Sequence, residues 1–243
     1  MRYGAVGAEP GAASSVLLLL ADGRFPAGGH THSGGLEEAI AAGRVRDSED
    51  LIAFLAGRLA TTGQVEAAMA AAAWTAAPSI ERLLALDAEA VARCPSPALR
   101  EASRAQGRGL LRAARSIWPA SSRGEVAPWP GLAGGLPHGP MHAIALGAVG
   151  RHVGLGALEV ALAAAQASVS GPAWAATRLL AVSPFAVGHC LARLSTDVET
   201  VASTATGLVA SGDGVPSLPA YSAPLMEIGA EDHARWEVRL FAS

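Results

Sequence analysis

Alanine supplies much of the apolar content of this chain while aromatic residues make up only 5% of it, and that imbalance constrains the fold more than any motif does. Alanine is the strongest helix former but hides little surface per residue. A core built from it must come from helices that approach closely, with leucine filling the larger gaps. Hydrophobic residues reach 51% of 243 positions, enough to bury one sizeable core. Apolar positions recur three and four residues apart, and no stretch alternates with the period of a strand. The fold class expected is all-α: a single helical-bundle-like domain of roughly eight to ten helices with a flexible C-terminal tail.

Glycine and proline punctuate this helical pattern. Residues 1–13 are Gly- and Ala-rich without a period and are expected to be disordered. A helical domain spans 14–210. Its first helix runs into the turn Asp22-Gly23-Arg24-Phe25-Pro26-Ala27-Gly28-Gly29, after which Ser33 is placed to cap a helix opening with Glu37 and Glu38. Leu51, Phe54, Leu55, Arg58 and Leu59 share one helical stripe, and 64–77 and 79–93 form further helices stopped by Pro78 and by Pro95 and Pro97. Pro97 opens a long helix over 98–117. From 119 to 139 the composition shifts to Pro, Gly and Ser, as in a linker or surface loop. Helical pattern resumes at Pro140 and continues in pieces to about Val209, broken at Gly171-Pro172 among other points. Residues 211–243 read as a flexible stretch followed by a short amphipathic tail that orders on binding a partner.

Charge narrows the partners. The net charge is −3, and all eighteen basic residues are arginine, so nothing electrostatic points to nucleic acid. Arg100, Arg104, Arg108, Arg112 and Arg115 line one face of the 98–117 helix, either as a solvated face or as a docking strip for an acidic partner. Two cysteines far apart, Cys94 and Cys190, fit a reducing compartment. The apolar run Val16–Ala21 is too short for a secretory signal, and Val160–Ala176 is too alanine-, serine- and glycine-rich to favour hydrocarbon. The expectation is a cytoplasmic protein with no membrane association.

No catalytic constellation emerges. The chain lacks lysine, so Gly28-Gly29 and Gly34-Gly35 cannot belong to a Walker loop, and Gly-x-Ser-x-Gly is absent. His30 and His32, and His138 and His142, are the candidates for a metal, but neither pair has a third ligand at suitable spacing. The expectation is a binding protein without a cofactor. A nickel-binding metallochaperone using these histidines is the alternative.

Several blocks resemble the urease accessory protein F (UreF) family, helpers in nickel insertion into urease. The segment Leu17–Glu37 is similar to its Leu-Ala-Asp, Pro-x-Gly and His-Ser-x-Gly-Leu-Glu signature; Arg100–Arg112 resembles its arginine-rich central helix; Arg178-Leu179 matches an Arg-Leu pair; and Pro224–Ser243 is similar to its C-terminal ending. Two positions depart from it. His30 stands where the family usually has an aromatic residue, and Ser183-Pro184-Phe185 stands for Gly-Gln-Thr. The resemblance implies an all-helical homodimer that couples a UreD/UreH-type scaffold to a UreG-type GTPase for GTP-dependent nickel delivery to apo-urease. It places partner contacts at Arg239, Leu240, Phe241, His233, Arg178, Arg104 and Arg108. It places a structural loop at Pro26, Gly28, Gly29, His32, Ser33, Gly34, Gly35 and Glu37.

Overall fold

The computed structural model describes residues 12–119 and 129–242, so nearly all of the expected disordered N-terminus (1–13) lies outside the described residues. The elements are α1 (Ala12–Ala21), α2 (Leu36–Ala41), α3 (Ser48–Arg58), α4 (Gln64–Ala76), α5 (Ile80–Ala92), α6 (Pro97–Ile117), α7 (Trp129–Gly135), α8 (His142–His152), α9 (Ala157–Leu179), α10 (Pro184–Arg193), α11 (Ser195–Ala210) and α12 (Pro224–Ala234). Among the described residues no strand occurs, only one parallel bridge between His32 and Ala242. The all-α expectation holds. The described helices outnumber the expected eight to ten, and one of them, α7, lies in a stretch expected to be a loop.

Caps follow from the sequence. The Asp47 carboxylate accepts from the Glu49 and Asp50 amides, and Ser79, Ser96 and Ser183 cap α5, α6 and α10, the last two with proline at the first helical position. Ser33 is buried and its hydroxyl accepts from the Glu37 amide at 3.4 Å, while Gly35 in left-handed conformation occupies the N-cap of α2.

At the centre lies α4, packed on α8, α9 and α11. Its alanines at 67, 68, 70, 71 and 73 are buried together with Met69. Small residues let the axes come close: a Cβ on Gly147 of α8 would sit 2.4 Å from the Ala70 carbonyl oxygen. Around this layer α6 lies on α8, α1 and α10 on α9, and α12 on both α2 and α6. No described helix is long and apolar enough to cross a membrane.

Three connections differ from the sequence expectation. A π-helical turn, Leu59–Gly63, joins α3 to α4 without a break, and the Thr61 and Thr62 hydroxyls donate back to the Gly57 and Arg58 carbonyls. The expected 119–139 loop contains α7, whose Leu132 is fully buried and whose Gly131 and Gly135 face Ile80 and Leu84 of α5; residues 120–128 lie outside the described part. Finally, α9 runs 23 residues straight through Gly171-Pro172. Proline at 172 has no N–H for the Ser168 carbonyl four residues back. That carbonyl instead accepts from Arg58 Nε of α3 at 2.7 Å, and the same guanidinium donates to the Gly34 carbonyl at 2.9 Å. A side chain from another helix thus supplies the hydrogen bond that the proline removes.

Candidate functional site

The segment Asp22–Glu37 and the chain's last residues fold against each other. Gly28, Gly34 and Gly35 have positive φ, as a loop reversing direction twice requires. Gly34 is also crowded, since a Cβ there would lie 2.8 Å from the Pro172 ring. Gly29 differs from expectation: its φ is not positive and its surroundings are open, so no backbone requirement holds it. Pro26 is exposed.

Glu37 organises the contact. Only 8% exposed, its carboxylate accepts from the Leu240 amide at 2.8 Å and the Phe241 amide at 3.0 Å, and meets His233 Nε2 at 3.0 Å. A buried carboxylate without such partners would carry a desolvation cost of several kcal/mol; three neighbouring donors offset it. Beyond Glu37 the Ala242 amide donates to the Thr31 carbonyl (2.7 Å), and the Ser33 amide donates to the Ala242 carbonyl (3.0 Å). The buried His233 ring also contacts Trp236, with ring centroids 4.7 Å apart.

The chain end is therefore seated on the body, in contrast to the expected flexible stretch and tail over 211–243. Three side chains from the body do this. Arg93 donates to the Pro219 and Val215 carbonyls, Glu37 takes the tail amides, and Ser96 and the Ala98 amide donate to Glu231 on α12. None of these long-range pairs has a local sequence signature. Among the expected partner residues, His233 and Phe241 are buried, whereas Arg239, Leu240 and Arg178 are exposed. Phe241 is a core residue in this conformation.

The arginine face of α6 is divided. Arg104 donates to the Gly139 carbonyl and at 3.2 Å to Asp87, and Arg108 donates to the His138 carbonyl and to Glu101 at 2.9 Å. Asp87, buried, accepts from the Met141 amide at 2.7 Å, and Ser103 accepts from the His142 amide at 2.9 Å. These groups pin the turn entering α8. Arg104 is thus committed inside the fold, while Arg112 and Arg115 remain exposed.

Behind the tail lies a cavity of about 750 Å³ between α4, α6, α8 and α9. Glu66 and His142 line it, with His32, Arg58, Cys94 and Phe241. Burial holds the Glu66 carboxyl above the ordinary carboxylate range, and Arg58 partly offsets this. Burial, aided by the charge of His32, lowers His142 to about 4. The expected pairing of His138 with His142 does not form a site: His138 is exposed, whereas His142 lines the cavity together with His32, which comes from the other expected pair. Among the described residues no group of three or more His, Cys, Asp or Glu is gathered as a metal site. Sequence reasoning missed Glu66 and Arg58 as interior groups. The signals were available: Glu66 is the one charged residue of α4, and Arg58 stands within an apolar stripe.

The His142 shift carries a pH dependence. Its folded pKa lies below the ordinary histidine value of 6.5, so between those two values the unfolded chain binds the proton that the folded chain refuses. Stability is complete above pH 6.5 and falls as pH drops toward 4, by on the order of 3 kcal/mol at the acid end of the window. Chemical denaturation at several pH values is expected to show this slope in the native chain and a shallower one in His142→Gln.

The family model described as UreF matches residues 45–195. The urease accessory protein UreF of Mycolicibacterium vanbaalenii is 42% identical over 229 residues, covering 94% of this chain and 98% of that protein. The proteins of the same name from Mycobacterium marinum and Mycobacterium tuberculosis are 43% and 41% identical, with the same coverage of both chains.

Proposed function

The chain belongs to the UreF family of urease accessory proteins, and on that premise we propose that it couples a UreD/UreH-type scaffold to a UreG-type GTPase in GTP-dependent nickel insertion into apo-urease. It is an accessory protein and not an enzyme. In this reading it acts in the cytoplasm as a homodimer, and nickel is cargo passed between partners.

The observation that carries the reading is the outward edge of the tail. Val238 and Leu240 are 84% and 71% exposed, with Arg239 exposed between them, while the main chain beneath is fixed to Glu37. Apolar side chains presented on a pinned backbone have already lost part of their conformational freedom, which lowers the cost of docking them on a partner. Arginine among exposed apolar groups is a frequent binding hot spot. Leu225 and Ile228 on α12 are exposed as well.

The test mixes the purified protein with the scaffold and the nucleotide-loaded GTPase and measures mass by size-exclusion chromatography with light scattering. A ternary peak is expected. Leu240→Asp and Arg239→Ala should each weaken it by about tenfold or more with thermal unfolding unchanged. A folded protein that associates with neither partner would remove the coupling role.

A further inference from the structure

We propose that the cavity between α4, α6, α8 and α9 is a binding site for an organic cation, an ammonium or guanidinium group on an apolar stem, with Glu66 as its counter-ion. The site belongs to this chain alone and stands apart from the coupling role.

The cavity is open to solvent, so a ligand enters without rearrangement of the fold, and about 750 Å³ is ample for a small organic molecule. Most of the charged groups on its wall are already spent on the protein. Asp22 pairs with Arg24, and the Glu227 carboxylate accepts from the Ala223 amide. Arg93 donates to the Pro219 and Val215 carbonyls and pairs with Glu89, and Arg58 donates to the Ser168 and Gly34 carbonyls. Arg178 is exposed, and burial holds His142 neutral. Glu66 is the exception. Among the described residues its carboxylate takes part in no hydrogen bond and no ion pair.

The π-helical turn ahead of α4 brings this carboxylate to the cavity. Were α3 continued as a regular α-helix, Glu66 would stand about 80° around the axis from Arg58, eight residues earlier. The wider turn Leu59–Gly63 takes up much of that angle, and both side chains line the same cavity. Arg58 acts on Glu66 only through space, easing its ionisation while its own donors stay on the two carbonyls. Glu66 thus bears the cost of burial without a direct partner, and a cationic ligand supplies one. Met69, Leu110, Met141 and Leu146 on the wall offer apolar surface to the stem. A metal ion fits less well, because no group of three or more His, Cys, Asp or Glu is gathered among the described residues.

Calorimetric titration of the full-length protein with benzylamine and benzylguanidinium, at mildly alkaline pH, tests the site against benzyl alcohol as the neutral comparator. Both cations are expected to bind one to one and at least about tenfold more tightly than the alcohol. Glu66→Gln should abolish that preference and leave the thermal unfolding midpoint unchanged or raised, since an amide has no charge to bury. Glu227→Gln, on the same wall, should keep the preference. A capped Leu-Arg-Leu tripeptide separates the two sources of such a cation: tighter binding than benzylguanidinium assigns it to a polypeptide side chain, and weaker binding to a free small molecule. A native protein that binds cations and alcohol alike, or binds none of them, overturns the site. So does a preference that survives Glu66→Gln or is lost equally in Glu227→Gln. If Glu66→Gln fails to fold, Glu66→Asp withdraws the carboxylate by one methylene and decides in its place, an unchanged preference overturning the site.

Discussion

Gly147→Ala is expected to lower the thermal unfolding midpoint by about 6–12 °C, equivalent to roughly 3 kcal/mol for a domain of this size. The added Cβ would meet the Ala70 carbonyl oxygen at 2.4 Å, the Ala73 methyl at 2.5 Å and the Trp74 amide nitrogen at 2.7 Å. All three belong to α4, and two are backbone, so α8 must shift bodily away from the central helix. The intrinsic preference of alanine for helix over glycine, about 1 kcal/mol, offsets only part of that cost. Gly207→Ala in α11 is the control. A Cβ there meets nothing within 4 Å, so the substitution should be neutral or stabilising. A Gly147→Ala protein as stable as the native chain would mean that α4 and α8 are not held at this separation.

The second large effect is expected from Arg58→Met, at about 3 kcal/mol or more, because it removes donors from two enclosed carbonyls and leaves Glu66 without its nearby cation. The mechanism makes a sharper prediction in combination. Arg58 supplies the hydrogen bond that Pro172 cannot, so Pro172→Ala restores an amide for the Ser168 carbonyl and makes Arg58 less necessary. Arg58→Met should therefore cost about 1–2 kcal/mol less in the Pro172→Ala background than in the native one. Denaturant unfolding of the four proteins measures this coupling. Strict additivity would show that Arg58 does not act through Ser168.

The two residues also show where the sequence stops being legible. Gly171-Pro172 is a stop signal by every local rule, and the expectation that the helical pattern breaks there follows those rules. The break is prevented by a side chain more than a hundred positions away, and no local window contains it. The same holds for the tail. Its Pro, Gly and Ser content favours disorder, yet Arg93 and Glu37 satisfy its backbone polar groups from α5 and α2. Some local signals did hold: proline stands at the first turn of α6, and glycine takes the left-handed positions 28, 34 and 35, though not 29. The arginine periodicity of α6 was visible as well, but periodicity assigns residues to a face and does not say what covers it. In the structure the turn Leu136–Met141 takes hydrogen bonds from Arg104 and Arg108 of that face.

By itself, then, the sequence determined that the chain is helical, that its core is close-packed and alanine-rich, and which family its end blocks resemble. Each of these depends on composition, on spacings shorter than two helical turns, or on ordered strings of residues. Only the tertiary structure decided that Phe241 is buried while Leu240 beside it is exposed. It also decided that Glu37 holds the chain end and that His142 lines the cavity with His32 while His138 stays outside. Those outcomes depend on which polar groups find partners once helices distant in sequence have packed. A buried carboxylate or carbonyl is satisfied by whatever donor the fold brings within 3 Å, and that donor has no fixed place along the chain.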